Sequence, residues 1–189
     1  MSLSLVTPPT AEPISVEDVR VHSRISTSAD DPYLLQAIKA ARTHAESYTR
    51  RVFVEQGWAL RMDGFPAGEF ELPQAPLISV DSVSYVDTNG TTQTLAASLY
   101  EVDAFSEPGR MRTVLSAAWP STRAVFNAVT VSFTAGYGRP KDVPKPIRQA
   151  LLMLVDHLYE HRSQVSELRL QETPHGVINL LYPYRLLSF

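Results

Sequence analysis

Apolar residues recur at helical spacing near both ends of the chain and at strand spacing in its middle. Leu34, Ile38, Ala41, Ala45, Tyr48 and Val52 follow one another at intervals of four and three, one face of a helix. Lys39, Arg42, Glu46 and Arg50 fall off that stripe, which can pack within the subunit or against a neighbour. Asp31-Pro32 opens this helix as cap and first-turn proline. A shorter helix precedes it: Ser15 is placed as N-cap with Asp18 three residues on, Ile14 and Val19 suit a hydrophobic staple, and the end falls near Arg24. Residues 1–13 hold three prolines and few anchors, and are expected to form a flexible arm.

From about Gly57 the period changes. Residues 78–86 are rich in β-branched side chains, and Asn89-Gly90 is a strong hairpin signal. Ser106-Glu107-Pro108-Gly109 reads as a turn, signalled by Pro108 and Gly109. Val129, Val131 and Phe133 alternate with Thr130, Ser132 and Thr134, as in a half-buried strand. Asp142-Val143-Pro144 then opens a last long helix with Ile147, Leu151, Leu154, Val155 and Leu158 on its apolar face, ending near Arg162. Residues 163–174 look like a polar connection; from Val177 the chain is apolar again, with room for one short helix broken at Pro183.

The expected fold class is therefore α+β. A helical core, made of N-terminal helices (14–52) and a long C-terminal helix (143–162), carries an inserted antiparallel β module (57–135) and an extended C-terminal arm (163–189). One domain is expected, since a chain of 189 residues buries roughly 70% of the surface its unfolded form exposes.

Composition narrows the function. There is no cysteine, so disulfides, zinc–thiolate sites and thiol chemistry are excluded. The start lacks the basic and apolar regions of a secretory signal, and no apolar run approaches the ~20 residues that span a bilayer. Folding in a cytoplasm and no membrane partner are the expectation. The net charge of −3 is uneven: residues 63–110 carry eight acids against Arg110 alone. Such patterning biases association between partners more than it affects the fold. The closing residues Tyr182, Pro183, Tyr184, Arg185, Leu186, Leu187, Ser188 and Phe189 have the make-up of an interface hot spot.

Candidate chemistry is thin. His157-Leu158-Tyr159-Glu160-His161 matches the inverted zinc-protease pattern, with two histidines four apart on one helix face. A small zinc hydrolase would need a third ligand from Glu167, Glu172 or His175, in a poorly patterned stretch. The bland reading is a pair of boundary histidines. Gly136-Tyr137-Gly138 lacks the rest of a phosphate-loop fingerprint and more simply lets the chain leave a strand. Asp103 and Glu107 could be cast as acid–base carboxylates but fit a turn better, and no nucleophile has a partner. Arg139, Lys141, Lys145 and Arg148 cluster at the start of the last helix, unfavourably for its dipole, which points to a partner or counter-charge. With a negative net charge and no reading motif, only a non-specific role near DNA stays open. No catalytic residue, metal or cofactor is expected.

One set of short motifs runs in order along nearly the whole chain. These are Asp63-Gly64-Phe65-Pro66; Leu72-Pro73 with Pro76-Leu77, Val80, Val83 and Tyr85; Pro108-Gly109-Arg110; Trp119-Pro120; and Ala128-Val129-Thr130-Val131 running into Ala135-Gly136-Tyr137-Gly138. Val143-Pro144 with Ile147-Arg148-Gln149-Ala150, His157 with Tyr159-Glu160 and Arg162, and Pro183-Tyr184-Arg185 complete the set. Taken together, the set resembles the head–tail connector (adaptor, or head-completion) proteins of long-tailed bacteriophages and phage-derived gene transfer agents.

The resemblance implies a non-enzymatic subunit of a dodecameric ring, docked beneath the portal protein at the particle neck and joined on its other side to a stopper or terminator. Double-stranded DNA would pass nearby without specific contact. Leu180, Leu181, Tyr182, Tyr184, Arg185, Leu186, Leu187 and Phe189 would then form the portal-docking arm. The acidic middle would face the next ring or line the channel. Another virion ring protein, or a cytoplasmic binding module of similar build, is the alternative.

Overall fold

A computed structural model describes residues 1–161 and 174–186. The fold is mixed α and β, with four α-helices and antiparallel sheets among the described residues. The chain divides into two compact units, Met1–Pro9 with Glu55–Tyr137 and Thr10–Val54 with Gly138–Phe189.

The first unit is built on strands. β1 (Ser2–Thr7), β2 (Gln56–Met62), β4 (Leu77–Val86), β5 (Thr92–Thr94) and β8 (Val129–Ala135) form a sheet in the order β1-β2-β8-β4-β5, antiparallel throughout. β3 (Phe70–Leu72), β6 (Tyr100–Asp103) and β7 (Gly109–Thr113) form a second, in the order β3-β7-β6. Central β8 behaves as its alternation predicts, burying Val129, Val131, Phe133 and Ala135 and leaving Thr130, Ser132 and Thr134 half-exposed. The Asn89-Gly90 hairpin joins β4 to β5. Asp87 accepts the Asn89 and Thr91 amides at 2.9 Å, and Gly90 takes the positive φ of 87° that the turn needs. In β7, a Cβ at Gly109 would stand 2.5 Å from Leu77 Cδ2, so only glycine lets the backbone pass that side chain.

The arm expected at residues 1–13 is corrected. Residues Ser2–Thr7 are an edge strand, with Leu3 opposite Leu60 and Ser4 opposite Ala59. Pro8, Pro9 and Pro13 all follow the strand, so they end it without removing any of its amide donors. The β unit is thus not a simple insertion, because its first strand lies ahead of every helix.

The second unit holds α1 (Val16–Ser23), α2 (Asp31–Thr49), α3 (Lys145–Glu160) and α4 (His175–Leu181), followed by a 3-10 turn at Tyr182–Tyr184. Ser15 and Asp18 form the reciprocal capping box anticipated for α1, and Arg24 ends it in left-handed conformation. In α2 the predicted stripe is buried at Leu34, Ile38, Ala41 and Ala45, and the helix packs on α3 within the unit. Its cap lies one residue earlier than expected: Asp30 occupies the position without a side-chain bond to the helix, and accepts instead from Tyr159 Oη at 2.6 Å. Helix α3 starts at Lys145, later than Asp142-Val143-Pro144 suggested, because Asp142 closes a 3-10 turn ahead of it.

Candidate assembly surfaces

Two stretches of the chain carry the features of contact surfaces. The first is the C-terminal one. Val177 and Leu181, four residues apart on α4, are both buried, which ties the helix to its own unit. The backbone beyond is held as well. Arg51 Nε donates to the Tyr184 carbonyl at 2.5 Å, and the Leu186 amide donates to the Thr49 carbonyl at 2.9 Å, at the end of α2. Arg185 lies over the Tyr48 ring, 5.4 Å from its centre.

The expectation of an extended arm is therefore corrected for residues 174–186, which form a helix and a 3-10 turn tied back to α2. Of the eight candidate docking residues, Leu181 is only 1% exposed and serves the core instead. Tyr182 is 61% exposed and Arg185 is exposed, while Leu180, Tyr184 and Leu186 are half-buried. Leu187 and Phe189 lie outside the described residues. Composition alone did not reveal the Arg51 and Thr49 anchors. Their partners lie more than 130 residues away in the chain, beyond the reach of any local pattern.

The second stretch is the β6–β7 hairpin. Asp103, at the end of β6, organises its turn: one carboxylate oxygen accepts the amides of Phe105 and Ser106 at 3.0 and 3.1 Å. The other accepts Ser106 Oγ at 2.6 Å and Arg110 Nη2 at 2.8 Å. The Ser106 hydroxyl first, and the Arg110 guanidinium next, hold the Asp103 carboxyl far below the usual carboxylate range. Arg110 also reaches Glu69 at 3.2 Å, and Arg112 pairs with Glu101 at 2.9 Å.

On this fixed turn Phe105 stands 100% exposed. Leu115, just past β7, is fully exposed too, and Leu99 and Val102 are exposed along β6 and its approach. The turn was expected, and so was the reading of Asp103 as part of it. The bare Phe105 was not, although an Asp whose side chain can bond the backbone two residues on is the sequence sign of a turn that fixes itself.

Among the described residues, the remaining candidates assemble nothing further. His157 and His161 pack ring against ring, with centroids 4.3 Å apart, and His161 Nδ1 lies 2.9 Å from the His157 carbonyl oxygen. Glu160 is exposed on the same helix, and His175 opens α4. Glu167 and Glu172 lie outside the described residues, among which no group of three His, Cys, Asp or Glu side chains could hold a metal. Gly136 and Gly138 both take positive φ where the chain leaves β8, as anticipated. No helix among the described residues is long and apolar enough to cross a membrane.

A model of the head completion protein family matches residues 12–171 of the chain. The chain is also similar to one in a structure of the neck of an empty gene transfer agent particle with C6 symmetry. The two are 26% identical with a TM-score of 0.84, covering 100% of this chain and 97% of that one. A chain in the virion of a native gene transfer agent particle is 25% identical, with a TM-score of 0.82 and the same coverage. One in the neck of a native particle with C12 symmetry shares the fold at 24% identity and a TM-score of 0.79, again covering 100% and 97%. No curated protein is significantly similar.

Proposed function

The chain belongs to the head completion protein family, and from that premise we propose that it is the head–tail connector (adaptor) subunit of a particle neck, forming a ring under the portal. Its role is structural and its place is the neck, where head meets tail. The observation that carries the finer reading is similarity over the full chain to a neck component, with 100% of the residues covered. Twelve copies are favoured, because a ring of twelve satisfies both C12 symmetry and its subgroup C6.

In this reading the C-terminal segment meets the portal protein. Tyr182 and Arg185 supply the exposed contacts, Leu180, Tyr184 and Leu186 the half-buried ones, and Leu187 and Phe189 extend them. Leu181 holds the segment in place from inside. A stopper or terminator binds the tail side, and the packaged duplex passes without base-specific contact, consistent with a net charge of −3.

Electron microscopy of the full chain mixed with its portal at micromolar concentration is the test. A ring on the portal is the expected result, and the absence of any ring overturns the reading. Binding only to a preformed adaptor ring would identify a stopper or terminator. Deleting residues 182–189 should remove portal binding while circular dichroism keeps its helical signal; retained binding would show the docking residues to be misassigned.

A further inference from the structure

We propose that the Phe105 turn is the plug of the contact between neighbouring copies in the ring, seated on a lysine- and proline-bearing surface (residues 139–148) of the next copy. The inference rests on the ring reading above. Three observations lead to it.

Phe105 is 100% exposed at the tip of a turn whose backbone is already fixed by the Asp103 carboxylate. A large apolar side chain in water has no stabilising role in a lone subunit. Presented rigidly, it loses little further freedom on burial, which is what makes an aromatic a strong anchor.

Charge is also divided between the two compact units. The unit that carries the turn has nine acids against four bases, and the other has eleven acids against thirteen bases. A closed ring of identical subunits joins one surface of each copy to a different surface of the next. A chain that is acidic on one unit and basic on the other is complementary to itself in that head-to-tail sense.

Finally, the basic unit offers a fitting mate. Residues 139–148 hold Arg139, Lys141, Lys145 and Arg148 against Asp142 alone. Lys141 and Lys145 are exposed and make no salt bridge among the described residues, whereas Arg139 and Arg148 pair with Asp142 and Asp18. Exposed Pro146 and half-buried Pro144, together with the lysine stems, provide an apolar seat for a ring edged by cations. Besides Asp103, which is engaged by the turn and by Arg110, the acids nearest the plug in sequence or pairing are Glu69, Glu71, Glu101 and Glu107, of which Glu71 makes no ion pair among the described residues.

The experiment places photoreactive p-benzoylphenylalanine at position 105 of the full chain within assembled necks and maps the product by mass spectrometry. A covalent dimer of this chain, linked to residues 139–148 of the second copy, is expected. A link to a different polypeptide, to another segment of this chain, or none at all in a ring that forms, overturns the inference while leaving the ring reading intact. Failure of any ring counts against that reading instead.

Two variants check the energetics. Phe105→Ser and the double variant Lys141→Glu/Lys145→Glu should each raise the concentration for half-assembly about ten-fold, as loss of one hot-spot contact does. Wild-type assembly by both overturns the inference. So does a lysine variant that assembles normally but loses retention on duplex DNA, since the lysines would then serve phosphates.

Discussion

The C-terminal stretch and the β6–β7 hairpin both expose apolar side chains, but they are held by opposite means. From α4 onward the chain is anchored from inside: Val177 and Leu181 are buried, and Arg51 and Thr49 bind the backbone at Tyr184 and Leu186. Its exposed residues sit on a segment whose position depends on the core beneath. The hairpin is anchored within itself, by a carboxylate that gathers two amides, a hydroxyl and a guanidinium within eight residues, from Asp103 to Arg110. Its tip contributes nothing to a core. Disturbing the inner anchors of the first region should therefore affect stability, and disturbing the tip of the second should affect assembly.

The largest effect is expected for Leu181→Ala. Truncating this fully buried side chain should cost about 2–5 kcal/mol, read from denaturant melts of the full chain. A loss under 1 kcal/mol would show that α4 is not held by packing. Next comes Arg51→Met, which keeps the stem and removes the donor to Tyr184. It should cost about 1–3 kcal/mol and speed proteolytic clipping after Tyr182, because a sheltered carbonyl loses its partner.

At Asp103 the effect is smaller and depends on pH. The folded-state pKa lies below the unfolded value, so the stabilisation is complete above the ordinary carboxylate pKa of about 3.9 and fades as pH falls below it. The melting temperature of wild type should exceed that of Asp103→Asn at pH 6, with the gap narrowing towards pH 3. A gap that stays constant would mean the carboxylate charge does not organise the turn. Smallest of all is Phe105→Ser, whose free subunit should melt within about 0.5 kcal/mol of wild type, as a fully exposed side chain allows. A clear loss of stability there would erase the contrast between the two regions.

Elements governed by near neighbours were legible in the chain. The Ser15–Asp18 box, the Leu34–Ala45 stripe, the Asn89-Gly90 turn and the β8 alternation each depend on residues within a few positions of one another, and each is present. The apolar make-up of the C-terminal stretch was legible too. Which of its residues face inward was not, since Leu181 and Tyr182 are adjacent apolar-bodied side chains with opposite fates. Nor could the spacing show that an acidic segment would leave a phenylalanine bare.

By itself the sequence determined where helices begin, where strands alternate and where hairpins turn, because caps, side-chain periods and glycine conformations act over a few residues. Tertiary structure decided the rest. It brought residues 2–7 beside β2 as a strand, divided the chain into two units, and tied the end of the described chain to α2. Those pairings join groups far apart in the chain, where many partners compete and closure entropy rises only slowly with separation. Burial and backbone hydrogen bonding in the assembled fold select among them.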